Sequence, residues 1–422
     1  MKKTSIFILL LCFFSNLFSQ NQTLRNEDFI YKNNIKTVIF RLAGTMFDKP
    51  IIRLNSGDIL DLQFDDMDSE GKTYSFTVFH CNADWSTSDL NYMEYLDGFP
   101  ESYVYQYDMS FNTIVKYNHY SFSFPNQDLK PKISGNYILM VYEDNDKNNI
   151  VLTRRFWIVD NKIEIKGKVT KSRIVKSITT SQEISFSFSS DFIQNPFDNL
   201  YVCVAQNNRQ DNINCGITPT YIKGNELIYD KPGDILFPGG NEYRFFNIKN
   251  HEYAIGRIES ISFENPNYRY KLFPDIEEAS RPYTYRQDIN GERLITADNT
   301  ENADLEADYA FADFELQYKN PELKGDFYVF GALSDWNISD EFKMKYDIES
   351  KSYKTSLLLK QGFYNYEYVF VKNGSSVFEN SQVEGCHYET ENKYTIFVYY
   401  RFPGKVYDEL IGVRSYNSQK KL

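Results

Sequence analysis

Histidine and cysteine are scarce in this 422-residue chain, with four of the first and five of the second, and the scarcity removes whole classes of chemistry. His80, His119, His251 and His387 stand far apart, with no pair at metal-ligand spacing, so no zinc site is expected. Gly239-Gly240-Asn241-Glu242 is rich in glycine but precedes a strand pattern, whereas cradling a phosphate takes a helix N-terminus. There is no G-x-S-x-G elbow and no P-loop. Past residue 19 no run approaches the roughly 18 apolar residues that a membrane helix needs, so no transmembrane segment is expected. Basic charge is short as well. Lys and Arg number 46 against 58 Asp and Glu, a net charge of −12, which argues against a nucleic-acid partner. No cofactor is expected.

Two acidic runs approach a calcium loop and fail. Asp66-x-Asp68-x-Glu70-Gly71 has the front half, but Thr77 stands where the bidentate Glu belongs. Asp144-x-Asp146-x-Asn148 lacks the glycine and ends on Arg155. Both read as hydrophilic hairpin turns.

What the chain has is aromatic side chains, 17% of all residues, with 34 Tyr and 34 Phe. With amphipathic helical periodicity nearly missing, that enrichment predicts an all-β fold. Residues 1–19 combine two lysines, the apolar run Ile6 to Phe14 and Ser19, and read as a signal peptide. The expected organisation is three consecutive immunoglobulin-like or early-set β-sandwiches. They would span residues 20–160, 161–300 and 301–402, with a tail over 403–422. Asn290-Gly291 suits a type I′ hairpin turn between Tyr283–Gln287 and Glu292–Ile295, and the acidic stretch Thr296–Asp308 reads as a linker. Of the cysteines outside the leader, Cys81, Cys203, Cys215 and Cys386, the favoured reading is four buried thiols; a hairpin disulfide between Cys203 and Cys215 is the alternative.

The stretch Lys72–Asn126 organises the rest. It opens on an alternating strand with Tyr74, Phe76, Val78 and His80 on one face and Ser75, Thr77, Phe79 and Cys81 on the other. His80 beside Cys81 invites a nucleophile reading, but neighbours on a strand point to opposite faces and cannot hydrogen-bond as catalysis requires. No catalytic residue is therefore expected; Cys81 should pack, His80 should bond within the aromatic layer, and Asp84 or Ser86 should close the following turn. After Asn82 and Trp85 comes a loop carrying Tyr92, Tyr95, Phe99, Tyr103, Tyr105 and Tyr107. Solvated loops rarely need that many rings, so it either folds back as a lid or docks on a partner.

The run FTVFHCNADWSTSDLNYMEYLDGF, followed by SFNTIVKYNHYSFSFPN, SGNYILMVYEDND and LTRRFWIVD, resembles the plug protein family of the type IX secretion system of Bacteroidota. The likeness continues through QNNRQDN, GGNEYRFFNI, DINGE, EADYAFADFEL and LLLKQGFYNYEYV, nearly the whole chain beyond the leader. Its most specific part is His80-Cys81-Asn82-Ala83-Asp84-Trp85 with Glu94-Tyr95-Leu96-Asp97-Gly98. Gln210 stands where the family often has an aromatic. The resemblance implies a non-enzymatic periplasmic protein, held at the outer membrane by a protein partner. It would cap the inner mouth of a very large β-barrel translocon while no cargo passes. Separately, Phe327 to Trp336, Lys343 to Asp347 and Gly362 to Tyr366 resemble early-set sandwiches that bind starch or glycogen, which implies Trp336 as a possible glycan contact.

Overall fold

Alternating strands shape the protein, seen here in a computed structural model that describes residues 23–68, 70–207, 209–318, 323–375 and 377–419. The leader expected at residues 1–19 lies outside them. Among the described residues no helix exceeds four residues, and none is long and apolar enough to cross a membrane. The chain is all-β, built as sheets packed face to face.

The first core forms where two sheets meet. One holds Phe29–Ile30, Ile150–Val159, Gly135–Glu143, Tyr74–Cys81 and Ser102–Val104 in that order, with Ile51–Arg53 also pairing Ile150–Val159. The other holds Ile35–Leu42, Leu60–Asp66, Asn118–Phe124 and Tyr107–Met109. The period of two decides what is buried: Tyr74, Phe76 and Val78 face Leu62, Phe64 and Tyr120 across the core. Gly135–Glu143 is buried on both faces, because Tyr137, Leu139 and Val141 point into that core while Met140 and Tyr142 sit under Leu24, Tyr31 and Phe79.

Strand membership beyond residue 160 differs from the sequence-based boundaries. Arg244–Asn247, expected in the second sandwich, pairs with Gly362–Lys372 and contributes Phe246 to the core around Tyr364 and Tyr366. Ile258–Glu264 and Asn267–Leu272 join the same unit through Tyr309–Gln317. Conversely, Lys393–Tyr400, expected in the third, pairs with Leu200–Gln206, and Glu409–Asn417, expected as tail, pairs with Lys393–Tyr400. The second core is thus built from Ile165, Phe186, Val202 and Tyr229 together with Ile396, Val398 and Ile411, and the chain between them folds as an insertion around a core of its own. Sequence pattern marks each strand, but nothing local says which distant strand will complete its sheet.

Three local expectations also change. Asn290-Gly291 makes the turn, with φ of 53° and 80° and Glu292 N–H donating to Ile289 O, yet Tyr283–Gln287 is no strand and Arg293–Ile295 pairs with Gly362–Lys372. The stretch Thr296–Asp308 is packed rather than a linker: it carries the short helix Ala303–Glu306, and buried Asp308 accepts N–H bonds from Ile114 and Val115 at 2.7 and 3.0 Å. Cys203 and Cys215, directly opposite on paired strands, are joined by a disulfide, where free thiols were favoured. A directly opposite pair on antiparallel strands brings two Cβ atoms within disulfide reach.

Buried charge ties the units together. Asp65 of the first core accepts hydrogen bonds from Lys360 Nζ at 2.6 Å and Tyr309 hydroxyl at 2.7 Å, both of the inserted unit, and lies 2.7 Å from His119 Nδ1. Arg209, beside the second core, donates to Glu367 Oε1 at 2.9 Å and lies over the rings of Phe330 and Trp336.

Candidate partner-contact surface

The Tyr-rich stretch folds back onto its own sandwich in one part and is exposed in another. It supplies one edge strand to each sheet of the first sandwich, so its residues sort by strand geometry. Asn91 caps the turn Tyr92–Tyr95, with its side chain accepting from Met93 N–H while Glu94 accepts from Asn91 N–H. That fixes Tyr95 inward, its hydroxyl donating to Val78 O, and leaves Tyr92 half-buried against the same core. Leu96–Gly98 then pairs with Leu129–Pro131. Gly98 is required there: φ is +103° and a Cβ would stand 2.0 Å from Asp128 O.

Beyond Gly98 the rings turn outward. Phe99 is 65% exposed. Ser102–Val104 pairs with Tyr74–Phe76, burying Ser102 and Val104 and directing Tyr103 out; Tyr107–Met109 pairs with Asn118–Tyr120, where Tyr107 stacks on Tyr120 at 5.1 Å. Tyr105, between the two strands, is 77% exposed and lies 5.7 Å from Tyr103. Two residues escaped the sequence reading, Met109 at 70% exposure and the exposed Phe111. Met109 shares a face of its three-residue strand with Tyr107, whereas Tyr103 belongs to the other sheet, so no single alternation runs through the stretch. The segment itself is acidic, although Glu101 is paired with Lys147 Nζ at 2.9 Å and Asp97 stands opposite Lys130. From Asn91 to Val115 there are four carboxylates, Glu94, Asp97, Glu101 and Asp108, and neither Lys nor Arg.

The motif His80 to Trp85 begins at the far end of the strand whose start pairs with Ser102–Val104, and works as a joint. His80 is buried with Nδ1 3.0 Å from Ser88 Oγ, between the rings of Tyr137 and Tyr407, and burial lowers its pKa to about 4. Cys81 points away from it, and burial pushes its thiol up to about 12, the opposite of an activated nucleophile. Asp84 Oδ1 accepts from both the N–H and the hydroxyl of Ser86, closing the turn. Ala83 N–H donates to Asp408 Oδ2, and Asn136 donates to Asn82 O while accepting from Tyr399 hydroxyl at 2.7 Å. Trp85 meets Trp157 edge-on at 5.3 Å under the guanidinium of Arg155, and Trp157 stacks on Phe397. The motif therefore holds the first sandwich against the Lys393–Tyr400 and Glu409–Asn417 strands.

Trp336 stands apart from both regions. Its ring packs edge-on to Phe330 and Tyr243 under Arg209, and the missing Cβ of Gly291 leaves the space it fills. With these contacts the ring is half-buried.

Comparison with known proteins agrees with the fold. The first domain of the type 9 secretion system plug protein matches residues 35–160, the first sandwich with its aromatic edge but without the strand Phe29–Ile30. A solved structure, of a hypothetical protein from Parabacteroides merdae, is 34% identical, with a TM-score of 0.89 over 94% of this chain and 100% of its own. No curated protein matches. The solved relative agrees with the fold over nearly the full length, and the domain match, which contains the His80 to Trp85 joint, carries the assignment: the chain belongs to the plug protein family of the type IX secretion system.

Proposed function

We propose that the protein is a non-enzymatic periplasmic plug that occludes the channel of the outer-membrane β-barrel translocon of the type IX secretion system when cargo is absent. The observation that carries this reading is the family match over residues 35–160, which includes the exposed rings of Phe99, Tyr103, Tyr105 and Tyr107. These rings touch the barrel rim. Exposed aromatics in a row are what interface cores use.

Two further features support it. A body that acts by obstruction must not yield under load, and these sandwiches are clamped by the buried Asp65–Lys360 and Arg209–Glu367 pairs, not strung on linkers. The Cys203–Cys215 disulfide suits an oxidising compartment such as the periplasm.

Deleting the gene should make the outer membrane leaky to bulky antibiotics when the translocon is present and leave it tight when the translocon is also removed. Unchanged permeability in both backgrounds would refute plugging. A tagged pull-down from detergent-solubilised envelope should bring a barrel of translocon size with it.

A further inference from the structure

The way the aromatic ribbon ends the second sheet of the first sandwich says how the partner is held. Tyr107–Met109 pairs with Asn118–Phe124 on one side and, among the described residues, with no strand on the other. Ser110 N–H donates to Tyr117 O at 2.9 Å, which makes 110 and 117 a hydrogen-bonded pair of the antiparallel ladder. Such pairs alternate, so Asp108 and His119 form the next one, and the N–H and C=O groups of Tyr107 and Met109 point away from the sheet. The stacked pair Tyr107 and Tyr120 fits the close, non-hydrogen-bonded position that this assigns to it.

Natural edge strands are blunted by Lys, Pro, bulges or a covering loop. This one has the sequence Tyr-Asp-Met, without Lys or Pro, and is exposed along its length; Tyr105 is exposed before it, and beyond it Phe111 N–H donates to Leu305 O of the inserted unit. At Tyr107 and Met109 outward backbone groups thus lie beside exposed apolar side chains, the combination by which an extended peptide adds a strand to a sheet. The acidic setting from Asn91 to Val115 selects its charge.

Resting on the plugging reading above, we infer that the Tyr107–Met109 edge takes up an extended segment of the translocon's periplasm-facing rim as an added antiparallel or parallel strand. That segment is apolar at alternate positions and flanked by Lys or Arg. Tyr105, Tyr107 and Met109 receive its side chains, and the outward N–H and C=O groups of Tyr107 and Met109 bond its backbone.

The test separates backbone pairing from mere apolar contact. Met109→Pro deletes an outward N–H while sparing the Asp108 ladder, a position where an edge strand tolerates proline. Met109→Ala keeps that N–H and removes the side chain. With full-length protein and detergent-solubilised translocon, retention of the proline variant should fall about tenfold, the cost of about one lost backbone hydrogen bond, and fall further than that of the alanine variant. In the wild-type complex, hydrogen exchange at the Tyr107 and Met109 amides should slow, and retention should weaken as salt is raised. Should the proline variant misfold, the wild-type exchange measurement decides alone. A wild-type complex with unprotected amides at 107 and 109, or a folded proline variant retained as well as wild type, overturns strand addition and leaves plugging standing. Protection that appears without translocon as protein concentration rises names a second copy as occupant and also overturns it. Failure of the wild-type protein to retain any translocon overturns both readings.

Discussion

Tyrosine does two jobs in this molecule, and the contrast lies between the junction of the first sandwich with the inserted unit and the edge ribbon of the same sandwich. At the junction Tyr117 donates to Ala307 O at 2.9 Å and Tyr309 to Asp65, with Lys360 Nζ 4.1 Å from the centre of the Tyr117 ring. Inside the inserted unit Tyr366 and Tyr368 both donate to Asp275. These rings are buried because each hydroxyl has an acceptor, without which burial of a polar group costs more than the ring's apolar area returns. At the ribbon, Tyr103 and Tyr105 extend from an edge strand and the turn beyond it and are 42% and 77% exposed. Identical side chains seal one region and are offered by the other. What differs is whether the backbone around them has completed its pairing.

The strongest way to break that contrast is to unseal the junction. Lys360→Met leaves the Asp65 carboxylate buried without its cation, and removing one partner of a buried pair costs about 3–5 kcal/mol. Urea unfolding should report that loss, and the double variant Asp65→Asn, Lys360→Met should recover most of it. A Lys360→Met protein as stable as wild type would mean that the junction is not a clamp. Next in size is the disulfide, whose closed loop of 12 residues in sequence is worth about 3 kcal/mol on a loop-closure basis. Cys203→Ala with Cys215→Ala should lower the unfolding midpoint accordingly, and dithiothreitol should mimic the variant.

The first sandwich was largely legible in the sequence, and the difference between legible and illegible parts follows the same line. Alternation and turn chemistry mark Ile51–Arg53, Tyr74–Cys81 and Asn118–Phe124 because each strand carries its own pattern. The pairing of Leu200–Gln206 with Lys393–Tyr400 carries no local mark, so the third unit appeared to follow the second when it is inserted within it. The edge ribbon was legible as unusual but not as strand. Gly98, Pro100 and Asn112 punctuate it, and its two strands have only three residues each, too short for a period of two to stand out. Trp336 reads in sequence as a possible glycan contact by resemblance, and nothing local shows that Gly291 and Arg209 lie against its ring.

A smaller effect comes from His80, on the sealed side. Burial lowers its pKa from 6.5 to about 4, so across that window the unfolded chain binds a proton that the folded chain refuses. Stability from this group is complete above pH 6.5 and falls as pH drops toward 4, by up to about 1.4 kcal/mol per pH unit. Glu242 acts with the opposite sign: burial raises its pKa to about 7, so the folded chain holds the extra proton and stability falls as pH rises from 4.5 to 7. The difference between wild type and His80→Gln removes that shared background. It should show the acid-side fall, and a flat difference curve would mean that the imidazole is hydrated.

The smallest expected effect on stability is the sharpest for the comparison. Tyr105→Ser and Met109→Ser replace largely exposed side chains, and surface changes of this kind stay within about 0.5 kcal/mol. Tyr309→Phe, by contrast, strips one hydrogen bond from a buried carboxylate that cannot turn to water, and should cost about 1–3 kcal/mol in the same urea experiment. If the serine variants cost as much as Tyr309→Phe, the outward row is packing material for the fold, and its exposed edge has no claim to be a surface kept open for another chain. If they cost nothing, stability does not explain these exposed apolar residues, and an explanation must come from what binds there.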